Sequence, residues 1–141
     1  MTRSAMREKA FQFLYGAEIQ KKLDSNQIEA FLENNEVENK ELKEYLTDIV
    51  TGIKKHQKEI TKQIQENLKS DWQIERISKI SLSLLKLAIY EIQYKDLPYK
   101  AMINEVVELA KSYGEDTSSQ FVNGVLASIV NKGEHKWNQH Q

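Results

Sequence analysis

Three features of the sequence predict an all-α fold. Apolar residues recur at i, i+3 and i+4 in most segments, the 141 residues include one proline and five glycines, and 29% of them are charged. Few turns and many solvated helix faces are expected from such a chain. Its length suits one compact domain.

The first helix is predicted from about Arg3 to Lys22. Met6, Ala10, Phe13, Leu14 and Ala17 form its inner stripe, Phe11 and Tyr15 continue that side, and Arg3 and Arg7 lie one turn apart at its edge. Asp24 or Ser25 should cap a short second helix with Ile28, Phe31 and Leu32 inward and Asn34-Asn35 at its end. The third pattern is the clearest. Leu42, Tyr45, Leu46, Ile49, Val50 and Ile53 keep the helical spacing without a miss, and Ile60, Ile64 and Leu68 extend it. So long a run should break, and the polar segment Lys54 to Lys58 is the expected place.

Ser70-Asp71-Trp72-Gln73 fits a capping box that opens a short lead-in to the central helix. That helix, Arg76 to Tyr94, is the most apolar run of the chain and is apolar around most of its circumference, so other helices should surround it. The alternation Ser81-Leu82-Ser83-Leu84 also fits a strand, but Leu84-Leu85 and Leu87-Ala88-Ile89 do not. Pro98 must interrupt the helical path. A helix begins there with Met102, Ile103, Val106, Val107, Ala110 and Tyr113 inward, Asn104, Glu105, Glu108 and Lys111 outward, and Gly114 as a left-handed stop. Thr117 to Gln120 reads as a second capping box before Phe121, Val122, Val125, Leu126, Ile129 and Val130. Asn123-Gly124 would mark a hairpin elsewhere, yet the apolar phase runs through it, and the glycine is expected to admit another backbone closely. The polar end after Gly133 should fray.

Composition excludes several kinds of chemistry. With no cysteine there is no thiol nucleophile, disulfide or cysteine-ligated zinc. His56, His135 and His140 form no ligand pair, and no phosphate loop, serine elbow or apolar carboxylate pair occurs, so neither enzyme nor metal nor cofactor is expected. No run approaches the ~20 apolar residues of a membrane span, which points to a soluble, cytoplasmic protein. The net charge of −1 is unevenly spread. Residues 1–22 and 54–100 are net basic, residues 23–53 strongly acidic. A local anion-binding face is therefore compatible with a near-neutral whole, although solvated helix faces explain the same swings.

Tyr90-Glu91, then Pro98-Tyr99-Lys100, then Ile103-Asn104-Glu105 through Glu108-Leu109-Ala110-Lys111, and finally Phe121-Val122-Asn123-Gly124-Val125-Leu126 resemble the NusB transcription antitermination factor family. Arg3 and Arg7 with Ala10, Gln12, Leu14 and Tyr15 look like its basic first helix, and Trp72 to Arg76 like its lead-in to the central helix. The resemblance implies about seven helices in two packed subdomains, residues 1–70 and 71–141. It also implies binding of boxA-type single-stranded RNA from ribosomal RNA leaders together with NusE, a small-subunit ribosomal protein, and through other Nus factors a link to RNA polymerase. Some relatives form homodimers through the RNA-facing surface.

Single strands are held by cations along phosphates and by aromatic rings under bases. Arg3 and Arg7 are the candidate cations, Tyr113 and Phe121 the candidate rings. Phe121 equally shares the phase of core residues Val125 and Ile129, and Arg3 and Arg7 equally suit a solvated terminus. By the resemblance, Tyr15, Ser81, Lys86 and Thr117 face NusE, with Ser81, Lys86 and Thr117 departing from the acidic residues or arginine common there. A helical adaptor with minor RNA contact is the alternative function.

Overall fold

The computed structural model describes residues 1–35, 39–114 and 116–133, the Asp116 side chain excepted. Among them are seven α-helices and no strand: α1 (Arg3–Gln20), α2 (Ile28–Asn34), α3 (Lys40–Lys55), α4 (Gln57–Glu66), α5 (Lys79–Tyr94), α6 (Tyr99–Tyr113) and α7 (Asp116–Lys132). Single 3₁₀ turns at Ser25–Gln27 and Ile74–Arg76 lead into α2 and towards α5. His135, His140 and the expected fraying after Gly133 lie outside the described residues.

The central helix has the surroundings its composition demands. Leu84, Leu85, Leu87, Ala88, Ile89 and Ile92 are all buried, and α5 packs against α1, α3, α4, α6 and α7. It starts later than Arg76, because Ser78 caps it: the Ser78 hydroxyl accepts from the Ser81 amide at 3.1 Å, leaving Ile77 extended. The α3–α4 break falls at His56, inside the expected segment, where the imidazole stacks on Tyr94 of α5 at 3.8 Å. One turn before it, a side-chain carbon on Gly52 would overlap the ring of Tyr90, so the absence of a Cβ lets α3 and α5 close together.

Five local expectations are corrected. Helix α1 stops at Gln20, because Lys21 adopts the left-handed conformation, at φ 59°. Ser70 to Gln73 forms no capping box; Gln65 takes that place, accepting from the Ile74 amide and donating to the Trp72 carbonyl, both at 3.0 Å. Gly114 is extended rather than left-handed, at φ −117° and ψ −151°. Since α7 begins at Asp116, Thr117 lies in its first turn and is not the cap. Gly124 is exposed with nothing within 4 Å of where its Cβ would stand, so no backbone approaches it.

Candidate nucleic-acid interface

Helix α1 opens with Thr2, whose hydroxyl accepts from the Ala5 amide at 3.0 Å, and with no acidic residue in its first turn. The positive end of its dipole is therefore uncompensated from within the helix. Arg3 is exposed there and its guanidinium lies 5.3 Å from the centre of the Tyr45 ring, a cation–π contact that holds it against α3.

Arg7 points the other way. It is 4% exposed; its Nε donates to Glu91 Oε1 at 2.8 Å and its Nη1 to Glu105 Oε1 at 2.9 Å. Glu91, 2% exposed, also accepts from the Tyr45 hydroxyl at 2.9 Å, and Ser4 donates to Glu105 at 2.6 Å. The expected pair of solvated cations is thus corrected to one, Arg3. Withdrawing Arg7 towards a phosphate would strand a buried carboxylate, a larger cost than a surface phosphate contact returns. Burial by itself would lower the Arg7 pKa, but the bond and field of Glu91 outweigh it and hold the guanidinium above its ordinary value. Burial, then the charge of Glu91, drives the Tyr45 phenol far up, so it remains a donor. Glu105, expected outward, is half-turned to this cluster.

Helices α1 and α6 run parallel. Ser4 meets Glu105 and Gln12 meets Tyr113, the same separation of 101 residues at both points. Tyr113, expected inward, is 38% exposed, with its ring edge-on to Phe11 at 4.9 Å. Its hydroxyl donates to Glu8 and accepts from Gln12 Nε2 at 2.8 Å. The bond to Glu8, followed by burial, raises its pKa.

Phe121 sits elsewhere, half-buried on α7 with its ring 6.2 Å from that of Trp72. It packs against the core, and it also lines a cleft of about 490 Å³ with Trp72 and Thr117. Trp72 had been singled out only as part of a lead-in. Its signal was a tryptophan between Asp71 and Gln73 in no apolar phase. Of the residues assigned to a partner, Tyr15 and Lys86 share one seam: Lys86 is buried and its Nζ lies 2.5 Å from Glu18 Oε2, one turn from Tyr15. Ser81 is buried in the first turn of α5, and Thr117 is exposed on α7. Among the described residues no cluster of His, Cys, Asp or Glu could hold a metal ion, and no helix is long and apolar enough to cross a membrane.

Residues 4–131 match the model of the NusB family. The chain is 44% identical to the transcription antitermination protein NusB of Clostridium acetobutylicum over 137 residues, 96% of this chain and 100% of that protein. Among solved structures, T. maritima NusB superposes with a TM-score of 0.83 at 30% identity, covering 94% of this chain and 92% of that one. A crystal structure of antitermination factors NusB and NusE in complex with dsRNA superposes at 0.82 with 25% identity, covering 94% and 99%.

Proposed function

The chain belongs to the NusB family, and from that premise we propose that it acts in transcription antitermination, binding boxA-type RNA of ribosomal RNA leaders together with NusE. The observation that carries this reading is the near full-length likeness to a NusB chain crystallised with NusE and RNA. The family is non-enzymatic, and the reading needs no reaction and no cofactor. Arg3 supplies the phosphate contact at the open end of α1, and Tyr113 and Phe121 supply aromatic surface. Arg7 serves the same face indirectly, by anchoring α1 to α5 and α6. Tyr15 and Thr117 face NusE directly, while Ser81 and Lys86, both buried, fix the first half of α5 behind them. The bound complex reaches RNA polymerase through other Nus factors.

One observation favours the adaptor reading instead: with Arg7 withdrawn, α1 offers RNA one cation fewer. Fluorescence anisotropy of a labelled boxA-type RNA across a salt series, with and without NusE, separates the two. The proposal expects preference over a scrambled strand, tightening by NusE, and weakening by Arg3→Glu and Phe121→Ala in folded protein. Absence of any boxA preference with NusE present would overturn it.

A further inference from the structure

The two arginines of α1 are held in opposite ways, and the difference points to Tyr45. Arg7 is gripped by carboxylates that accept two of its N–H groups. Arg3 is exposed and meets no carboxylate at ion-pair distance among the described residues; it rests instead on the ring of Tyr45, 5.3 Å from its centre. A ring face attracts a guanidinium without accepting its N–H hydrogens. Arg3 is thus held with its donor edges free, whereas pairing with a carboxylate would occupy the fork that a phosphate needs.

The platform is itself fixed. Tyr45 is 8% exposed, and its hydroxyl donates at 2.9 Å to Glu91 Oε1, the oxygen that also accepts from Arg7 Nε. Turning the ring away would break that buried bond. The surroundings show what the ring prevents. Glu41 and Glu44, exposed on α3, line the same cleft of about 330 Å³ as Arg3 and form no ion pair among the described residues. Asp48, in the same lining, is already engaged by Tyr90 at 2.9 Å and Lys95 at 3.3 Å. Without the ring, Arg3 would have two unspent carboxylates in its own cleft to pair with. We propose that Tyr45 is a positioning residue for RNA binding: its face holds Arg3 at the open end of α1 and keeps it from Glu41 and Glu44, so that a phosphate meets an oriented cation. The inference rests on the phosphate role of Arg3 and adds the residue through which that role is set. Arg7 then acts on RNA at two removes, through Glu91 and the ring.

The test uses the full chain with NusE and a labelled boxA-type RNA. It compares Tyr45→Phe, which keeps the ring and loses the bond to Glu91, with Tyr45→Leu, which loses both, each with and without Arg3→Ala and each checked for folding by circular dichroism. Tyr45→Phe is less stable yet binds RNA within about twofold of the parent. Tyr45→Leu binds about two- to fivefold more weakly, the worth of a surface cation–π contact. Its salt dependence is shallower by up to about 0.7 in log–log slope. Arg3→Ala weakens the parent and Tyr45→Phe but adds little to Tyr45→Leu, a pattern that lost stability alone does not produce. In NMR spectra of the parent, the ring current moves the Arg3 side-chain protons upfield, and the shift persists at RNA saturation. An Arg3→Ala effect that is the same with and without the ring overturns the proposal. So does an upfield shift that is absent in the free protein or vanishes on RNA binding, a reading that holds even where Tyr45→Leu does not fold. If Arg3→Ala leaves RNA binding by the parent untouched, the inference falls while boxA preference keeps the antitermination reading. If the parent binds no RNA, both fall together.

Discussion

Arg7 shows what a single side chain contributes here. Its pair with Glu91 is out of water at both ends, at 5% and 2% side-chain exposure, so removing one partner leaves the other charge without compensation. Arg7→Met should cost about 3–5 kcal/mol in urea unfolding, and adding Glu91→Gln to it should restore part of that loss. Tyr45 sets a pH limit from the same cluster. Burial, then Glu91, raises its pKa above the ordinary 10.0, and burial, then the bond to Asp48, does the same for Tyr90. Below pH 10 both folded and unfolded chains keep these protons and stability is unaffected. Above it the unfolded chain releases them first, so stability falls as pH rises. A pH series of urea midpoints should show that decline, and Tyr45→Phe should flatten it. None of this was legible beforehand, because Arg7 finds its carboxylates 84 and 98 residues away. A basic residue at the edge of an amphipathic stripe reads as solvated until its distant partners are known.

Within the helices, two glycines make opposite predictions. At Gly124 a methyl meets open space, so Gly124→Ala should stabilise by about 0.5–1 kcal/mol through helix propensity. At Gly52 the same methyl strikes Tyr90, which is buried and bonded to Asp48 at 2.9 Å, so Gly52→Ala should destabilise by about 1–3 kcal/mol. Thermal melts of the two variants should move in opposite directions. The sequence invited the reverse assignment, since Gly124 sat inside an unbroken apolar phase while Gly52 merely preceded a polar segment. Periodicity located α3 and the break near His56 well, because those depend on residues within a few turns. It misplaced the supposed cap at Ser70, because the winning hydrogen bonds come from Gln65 on another element. The cleft escaped for the same reason: Trp72 and Phe121 meet across 49 positions of chain, and neither announces the other.

At the scale of the molecule, the all-α class and the family were readable from the apolar stripes and from the Ile103 to Leu126 motifs, and the superpositions agree. The exposure of the candidate RNA-binding residues was readable only in part. Arg3 reaches solvent, and so does Tyr113 although its helical phase had placed it inward, but Arg7 does not. Because the buried faces of α1 and α3 close on α5, a fragment of residues 1–70 should remain largely unfolded; circular dichroism with urea should show no cooperative transition. The parallel run of α1 beside α6 has a consequence in time. During synthesis the first helix leaves the ribosome well before the segments that cover Met6, Ala10 and Phe11 exist. At about 5–20 residues per second, the 84 to 98 residues separating Arg7 from its two carboxylates correspond to roughly 4–20 s. The opening helix must wait that long for α5 and α6, with only α2 and α3 at hand to cover it, and the chain becomes a finished protein only once its second half arrives.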